Sequence, residues 1–217
     1  HSMFTRNRCT EWQYGHGGAI YMASGRVSRC RFLGNSTDSH KGGGAIYMDN
    51  GRVDQCLFIT NSATRTQTGY EGDGGAILHV KGVVESCTIA WNTAIKDGGG
   101  VKIEGAVGGL TNCIVYYNSA TSGAQNVYNP VRTSWSCSPD LTHGVGGNIT
   151  NAPVFNDVAR KDYVLVPGSG GFNSGTNLPW MMGTVTDLAG MRRIRKNIVD
   201  MGALEYYPPV GTALVVR

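Results

Sequence analysis

A short glycine-containing motif recurs four times in the first half of the chain, and it restricts the possible folds more than any other feature of the sequence. The four copies are Gly17-Gly18-Ala19-Ile20, Gly43-Gly44-Ala45-Ile46, Gly74-Gly75-Ala76-Ile77 and Gly98-Gly99-Gly100-Val101. They follow one another at intervals of 26, 31 and 24 residues. Self-similarity at such a period is the signature of a stacked-repeat architecture.

Each copy is followed by a cysteine and then by an asparagine at nearly constant distances. The cysteine lies 13 residues after the first three copies begin and 15 after the fourth: Cys30, Cys56, Cys87 and Cys113. Five residues beyond each cysteine is an asparagine: Asn35, Asn61, Asn92 and Asn118. Only the step from asparagine to the next glycine motif varies, from 6 to 13 residues. A fixed core with one variable loop per repeat predicts a solenoid whose insertions emerge on one side.

The repeat unit is built from short β-branched segments bounded by glycine, which favours strands over the pattern of a leucine-rich repeat. We predict three strands per coil, at Ala-Ile-Tyr-Met, around Val27 or Val53, and at Cys-x-Phe. Parallel strands of successive coils lie about 4.8 Å apart, so equivalent residues should stack into columns such as Phe32, Phe58, Ile89 and Val115. The sequence therefore predicts an all-β, right-handed parallel β-helix over residues 1–128, continued by a C-terminal capping module over residues 129–217.

Two of the predicted columns have a special chemistry. The asparagines Asn35, Asn61, Asn92 and Asn118 are expected to form a ladder in which each amide satisfies a buried turn and bonds to the next coil. Side chains in a parallel column point the same way, which suits the roughly 90° disulfide torsion poorly. The column Cys30, Cys56, Cys87 and Cys113 is therefore predicted to be reduced and apolar. Without CxxC spacing or a histidine column, it predicts no metal site.

Composition and charge exclude several classes of partner. The 217 residues are 41% hydrophobic and 16% charged and include 32 glycines, which fits one turn-rich all-β domain with a sizeable core. The net charge of +4 is small and scattered, so no nucleic-acid partner is indicated. No apolar run reaches the roughly 18 residues of a membrane span, so we expect no direct membrane insertion. Because the repeat is under way near Cys9 without an N-terminal cap, we expect a piece of a longer secreted polypeptide.

The repeats resemble those of known bacterial surface proteins. The Gly-Gly-Ala-Ile and Phe-x-x-Asn elements, the latter at Phe32-Leu33-Gly34-Asn35 and Phe58-Ile59-Thr60-Asn61, are similar to repeats in the β-helical passengers of polymorphic outer-membrane autotransporters. The resemblance implies an exported protein, secreted or attached to the bacterial cell surface, whose β-helix is a passenger or stalk. It implies no defined catalytic site.

The C-terminal part resembles the closing segment of bacterial "choice-of-anchor" β-helix proteins. The similar segments are 147–155, 162–165, 167–169, 187–190 and 199–206. The chain departs from that family at residues 169–173, where Ser-Gly-Gly-Phe-Asn replaces Ser-Pro-x-Ile-Asp, and at residues 190–193, where Gly-Met-Arg-Arg replaces Gly-Asn-Pro-Arg.

The stretch from Asn129 to Tyr207 also has a physical interpretation. An open β-helix end exposes unpaired strand edges and apolar columns, and we expect this stretch to cover them. We expect its basic run to pair with acids of the same stretch, so that Arg192, Arg193 and Arg195 contact Asp187, Asp200 and Glu205. The less favoured alternative is a patch that binds phosphate or nucleic acid.

Two stacked acid pairs are the places where chemistry could occur. Asp73 and Asp97 each precede a glycine pair, so stacking puts them roughly 5 Å apart, the spacing of a retaining glycosidase pair or half of a Ca²⁺ site. We favour the alternative that Asp73 and Asp97 are each the first residue of an Asx-type turn and stay in water, since their column contains no cationic residue. Asp54 and Glu85 stack near Arg26, Arg29 and Arg52.

We interpret the second pair, Asp54 and Glu85, as a surface salt-bridge ladder. The alternative is a lyase site, and only in that case would we expect a Ca²⁺ cofactor. His79 falls in the inward column of Met22, Met48 and Ile103 and is expected to be a hydrogen-bonded core residue. No GxSxG, P-loop or HExxH motif occurs, so we assign no catalytic residue and no metal ligand.

Ligand binding is expected on the variable loops, because loops on a rigid scaffold carry most binding sites. The candidates are His40, Lys41, Tyr70, Glu71, Asp73, Lys96 and Asp97. Outward Tyr21 and Tyr47 offer stacking surfaces for sugar rings. The leading hypothesis is a non-enzymatic adhesin, stalk or polysaccharide-binding surface, with a polysaccharide or a host or cell-surface ligand as partner. The alternative is a polysaccharide lyase or glycosidase, which requires a groove lined by convergent acids and bases.

Overall fold

The computed structural model describes residues 1–11, 15–39, 41–67, 72–105, 107–121, 123–195 and 197–208. In these ranges the chain is all-β except for two single-turn 3₁₀ helices, Val145–Gly147 and Pro179–Met181. Neither of them, nor any other helix in these ranges, is long and apolar enough to cross a membrane. Parallel strands wind through about four coils, which confirms the predicted β-helix.

Each coil contributes short strands to four parallel sheets, numbered here in the order in which a coil visits them. Sheet 1 contains Ile20–Met22, Ile46–Met48, Ile77–His79, Val101–Ile103 and Val127–Tyr128. Sheet 2 contains Arg26–Ser28, Arg52–Asp54, Val83–Glu85 and Gly109–Thr111. Sheet 3 contains Met3–Thr5, Arg31–Leu33, Leu57–Ile59, Thr88–Ala90 and Ile114–Tyr116. Sheet 4 contains Arg8–Cys9, Ser36–Thr37, Ser62–Ala63, Thr93–Ala94 and Ser119–Ala120.

The two-residue strand of sheet 4 corrects the prediction of three strands per coil. It begins directly after each ladder asparagine, as at Ser36–Thr37 and Ser62–Ala63. A segment this short and polar carries no alternation of apolar residues, and periodicity is the main sequence signal for a strand.

Two corners of each coil lie beside the cysteine and asparagine columns, and each contains a residue with left-handed backbone conformation. One precedes each column cysteine, with φ between 50° and 54° at Arg29, Gln55, Ser86 and Asn112. The other precedes each ladder asparagine, with φ between 55° and 63° at Gly34, Thr60, Trp91 and Tyr117. This conformation costs a non-glycine residue roughly 1–3 kcal/mol unless the surroundings fix it. The two columns beside these corners provide that fixation.

The asparagine column is a continuous series of hydrogen bonds between coils. The amide Nδ2 of Asn35 donates to Oδ1 of Asn61 at 2.9 Å, and Asn61 donates to Asn92 at the same distance. Each Oδ1 also accepts the backbone N–H of the preceding coil's asparagine, as Asn61 does from Asn35 at 2.9 Å. The series continues through Asn118 to Asn126 at 3.1 Å. Each buried side chain therefore satisfies backbone groups at the corner of the preceding coil, as Asn61 does for Phe32 O and for the N–H of Asn35.

The interior contains the predicted apolar columns. The rings of Phe4, Phe32 and Phe58 stack at centroid distances of 4.8 and 4.7 Å. All six cysteines of the chain are unpaired, and the four of the cysteine column are buried. The backbone N–H of Cys30 lies 3.4 Å from Sγ of Cys56, and the backbone N–H of Cys56 lies 3.4 Å from Sγ of Cys87.

The C-terminal tail packs mainly against the side of the solenoid. Residues Ser134, Cys137 and Ile149 form isolated parallel bridges that extend the stack beyond the fourth coil. From the antiparallel hairpin of Phe155–Asp157 and Asp162–Leu165 onward, the tail instead covers the outer face of sheet 3. The apolar cluster formed there contains Leu57, Ile59, Ala90, Ile114, Cys137, Phe155, Tyr163, Leu165, Leu188, Met201, Ala203 and Leu204. That the tail caps the open end stays a prediction.

The part of the tail that we call the strap, residues 176–186, runs lengthwise over successive coils. Asn112 in the fourth coil exchanges two hydrogen bonds with the backbone of Thr176, at 2.7 and 2.8 Å. The hydroxyl of Thr186 accepts a bond of 3.2 Å from Arg29 in the first coil. The strap therefore links the first coil to the fourth on the outside of the molecule.

Candidate functional site

The loop residues expected to bind a ligand are only partly brought together. His40, Tyr70 and Glu71 lie outside the described residues, so their prediction is untested. Lys41 is exposed and Lys96 is half-buried. Asp73 and Asp97 are both buried.

The sequence suggested that Asp73 and Asp97 are open to water. The structure shows instead that Lys102 lies against the pair. The Lys102 Nζ is 2.6 Å from Oδ2 of Asp73 and 3.7 Å from Oδ2 of Asp97. Oδ1 of Asp73 also accepts the backbone N–H of Asp97 at 3.1 Å. The cation was missed because it comes from the outer face of sheet 1 and not from the loop column. Burial raises the pKa of Asp73, and the contacts with Lys102 oppose that rise.

The outer face of sheet 1 offers fewer aromatic surfaces than the sequence indicated. Tyr21 is 50% exposed, but Tyr47 is only 6% exposed and stacks on His16 at a centroid distance of 4.6 Å. The prediction that Tyr47 presents a free face was therefore wrong. At the other end of the same face, the Lys102 ammonium lies 5.3 Å from the centroid of Tyr128.

The second acid pair forms a charge ladder on sheet 2. Arg26 Nε lies 2.7 Å from Oδ2 of Asp54, and Arg52 Nε lies 3.3 Å from the same oxygen. Arg52 also pairs with Glu85 of the next coil. Asp54 is fully buried, whereas the side chain of Arg26 is 54% exposed, so the ladder extends from the surface to the interior. Its two arginines hold the pKa of Asp54 below the usual range against the opposing effect of burial.

Trp180 of the strap covers this ladder. Its indole Nε1 donates to Oε2 of Glu85 at 2.9 Å, and the Arg52 guanidinium carbon lies 4.9 Å from its ring centroid. Next to it, a cleft of about 360 Å³ is lined by Arg26, Arg29, Gln55, Trp180, Thr184, Val185 and Thr186. Sequence reasoning gave no signal for this cleft, because its two walls are more than 120 positions apart in the chain.

His79 lies in the interior column as predicted. It is fully buried. Backbone groups of Gly82 and Lys81 lie close enough to oppose part of the effect of burial on its pKa, although neither ring nitrogen forms a hydrogen bond of normal geometry with a described residue. Burial lowers its pKa to about 4. The imidazole is therefore neutral at physiological pH and occupies an apolar position.

Of the arginines in the basic run of the tail, Arg193 pairs with an acid of the tail as predicted, whereas Arg195 makes a different contact. Arg193 is fully buried, lies 3.2 Å from Glu205, and donates to the backbone oxygens of Asp200 and Gly202 at 3.0 and 2.7 Å. Arg195 instead lies over the ring of Tyr207 at 4.3 Å. Asp187 does not need an arginine in the described structure, because its carboxylate accepts three backbone N–H groups.

Glu205 lines a second cleft, of about 500 Å³, together with Asp162, Met191, Tyr206 and Tyr207 among others. Burial raises the pKa of Glu205 to about 8, and Arg193 opposes that rise. A carboxyl with a raised pKa beside a cleft is a candidate general acid. Here the side chain is only 5% exposed and one oxygen faces Arg193, which is the arrangement of a structural pair.

The acids of the two stacked pairs are engaged with cations of the coils, which limits the chemistry they can perform. The Lys102 ammonium donates to Asp73 and lies 3.7 Å from Asp97, and an ammonium group has no lone pair with which to accept a proton. In the part of the chain that the structure describes, no group of three or more histidine, cysteine or acidic side chains has the geometry of a metal site.

The comparisons with known proteins add one local similarity. Residues 29–49 match the model of the Chlamydia polymorphic membrane protein repeat. This segment runs from the corner before Cys30, through the ladder residue Asn35, to the end of the second strand of sheet 1. Neither a curated protein nor a solved structure matches the chain. The repeat match and the solenoid together fit a surface β-helix repeat protein.

Proposed function

We propose that the chain is a non-enzymatic binding module displayed on a bacterial cell surface, where a rigid β-solenoid presents side chains to a polysaccharide or a host-cell ligand. The similarity of residues 29–49 to a polymorphic membrane protein repeat supports the surface location. The parallel sheets, stacked in register over four coils, support the role of a stiff scaffold.

One observation carries the proposal: both acid pairs that could have been catalytic are held in ion pairs with cations of the same chain. Asp73 and Asp97 share Lys102, and Asp54 and Glu85 share Arg52. A glycosidase needs one protonated and one ionised carboxyl facing a substrate-sized space. Carboxylates held in ion pairs beneath the surface stabilise the coils and do not meet that requirement.

A polysaccharide lyase or glycosidase remains the second candidate, because of Glu205. Its pKa of about 8 and its place beside a cleft would suit a general acid. The position of the carboxyl group argues against this role, because one oxygen lies 3.2 Å from Nε of Arg193 and the other accepts the backbone N–H of Asp200 at 3.0 Å, so both oxygens are already engaged.

The experiment is to incubate the chain with acidic and neutral polysaccharides, with and without Ca²⁺, and to measure binding and polymer length in parallel. We expect retention on at least one immobilised polysaccharide and unchanged polymer length after a day. Shortening of any polymer that disappears in a Glu205→Gln variant would establish the enzymatic alternative. The exposed Asn156, which lines the same cleft, provides the matched control as Asn156→Ala.

A further inference from the structure

The cleft between the strap and the first two coils has the chemistry of a site for a carboxylated sugar. Its described lining combines two arginines with hydroxyl and amide groups: Arg26, Arg29, Gln55, Thr184 and Thr186. Its volume of about 360 Å³ lies within the range of small-molecule sites, about 300–1,000 Å³.

The arginines retain donors that can reach a ligand. Arg26 uses Nε and one Nη2 hydrogen for Asp54, at 2.7 and 3.0 Å, and its side chain is still 54% exposed. A guanidinium has five N–H donors, so three are left. Arg29 has only its Nη1 bond to Thr186 as a side-chain hydrogen bond within the described structure. Together with Arg52, these two arginines bring three positive charges to the site. The carboxylates of Asp54 and Glu85 bring two negative charges, so one positive charge is in excess.

The arginines offer hydrogen-bond donors, whereas Gln55 offers an acceptor that needs a donor. Its side chain is 99% buried, its Nε2 points to Asp54 at 3.5 Å, and its Oε1 has no hydrogen-bond partner in the described residues. A buried amide oxygen without a donor destabilises the protein. A ligand that only accepts hydrogen bonds, such as sulfate, would leave Oε1 of Gln55 without a donor, whereas a hydroxyl group would supply one.

The wall opposite the arginines is fixed before a ligand arrives. Trp180 is held by Glu85 on its indole nitrogen and by Arg52 on its ring. Thr186 is held by Arg29. Preorganised groups lose little conformational entropy on binding, which favours recognition of a polar ligand.

We propose that this cleft binds the carboxylate-bearing sugar unit of an acidic polysaccharide. The carboxylate faces Arg26 and Arg29, and ring hydroxyls face Gln55 and Thr186. The inference rests on the proposed binding function and adds the class of ligand and its site. An acidic peptide would supply the carboxylate but not the several hydroxyls that the polar lining fits, so the peptide is treated as a competing outcome.

The test is isothermal titration of the intact chain with the trimer of galacturonic acid at low salt. Its methyl ester, which lacks the charge, and a glutamate oligopeptide serve as controls. We expect saturable binding of the acidic trimer only, weakened by added salt. Arg29→Met should raise the Kd about tenfold or more, since charged hydrogen bonds to a carboxylate are lost. Arg31→Met, two positions away and outside the cleft, should change the Kd less than about twofold.

A second measurement on the unaltered protein covers the case in which Arg29→Met does not fold. Phenylglyoxal modifies accessible arginines, and the trimer should protect Arg26 and Arg29 but not Arg31. Equal binding of the ester or the peptide, or absence of protection, would overturn the site. Retention on an acidic polysaccharide with unaltered affinity in Arg29→Met would overturn the site while leaving the proposed function intact. Shortening of the polymer would overturn the proposed function itself.

Discussion

The indole nitrogen of Trp180 donates a hydrogen bond of 2.9 Å to Glu85, joining two residues that are 95 positions apart. Burial raises the pKa of Glu85, whereas Arg52 and the Trp180 hydrogen bond oppose that rise. The strap therefore helps to keep a half-buried carboxylate ionised in the third coil.

Replacing Trp180 by Phe keeps an aromatic ring and removes the N–H donor. We expect the free energy of unfolding at pH 7 to fall by about 1–2 kcal/mol, because a hydrogen bond to a charged group is lost. The loss should shrink near pH 4, where Glu85 is increasingly protonated. Urea denaturation at both pH values measures this, with the exposed Trp135→Phe as the control. Equal effects of the two substitutions would show that the Glu85 contact does not stabilise the fold.

Asn61→Ala should destabilise the coils because its amide serves two neighbours. The side chain donates to Phe32 O and to Asn92, and accepts from the backbone and side chain of Asn35. Leaving these buried groups without partners should cost about 1–3 kcal/mol, and Asn92→Ala should behave alike. Thermal unfolding of the variants measures the cost, and Asn50→Ala, at an exposed position in the same coil, is the control. Unchanged midpoints for Asn61→Ala and Asn92→Ala would contradict a stabilising ladder.

Lys102→Met should leave Asp73 and Asp97 without their shared cation. Removing one partner of a buried ion pair costs about 3–5 kcal/mol, and partial exposure at this site should bring the loss to about 2 kcal/mol. The pKa of Asp73 should rise, so the loss should be smaller at pH 5 than at pH 7. In a double-mutant cycle, Asp73→Asn should recover part of the stability of the Lys102→Met chain. Additive effects of the two substitutions would mean that the ion pair does not stabilise the protein.

His79 should make stability depend on pH below neutrality. Its pKa is about 4 in the folded chain and about 6.5 when unfolded, so the unfolded state binds the proton first as the pH falls. Stability from the neutral imidazole is full above pH 6.5 and declines between pH 6.5 and 4, by about 3 kcal/mol in total.

His79→Met removes the titrating group and matches Met48, which precedes it in the column. The difference in unfolding free energy between this variant and the original chain should grow as the pH is lowered from 7 to 4. Urea titrations along this range measure it. A constant difference would show that His79 is not the titrating group. Gly108 should stay unchanged in such work, because a Cβ there would collide with the imidazole ring.

The fold was predictable because equivalent residues of each coil recur at a nearly constant spacing in the sequence. Ile20, Ile46, Ile77 and Val101 pair in the register that the spacing indicated. The lateral position of the tail also had a sequence signal. The continuous apolar runs Leu57–Ile59 and Ile114–Tyr116 are typical of strands buried on both faces, and the tail covers their outer side.

The sites were less predictable, because their members come from different layers. Lys102 reaches the loop acids from the strand below them, and Trp180 reaches Glu85 from the other end of the chain. Column alignment compares equivalent positions of successive coils, so it cannot find contacts between a coil position and a non-repeating segment. The unpartnered Oε1 of Gln55 could be recognised only once the strap was in place.

We infer that coils and tail form one cooperative unit, in which the strap adds a hydrogen bond from Trp180 to the acid network of sheet 2. The contact at Gly202 carries this claim. Its N–H donates to Asn112 O at 2.7 Å, the next N–H, of Ala203, donates to Thr88 Oγ1 at 2.9 Å, and a Cβ at Gly202 would lie 2.5 Å from that oxygen.

Native-state hydrogen exchange of these two amides tests the claim most directly. The reference is the amide of Thr93, which donates to Asn61 O inside the coils at 2.9 Å. We predict that Gly202, Ala203 and Thr93 exchange with the same opening free energy, and that denaturant lowers all three in parallel. Exchange of Gly202 and Ala203 at the rate of an exposed loop, with Thr93 still protected, would contradict the account.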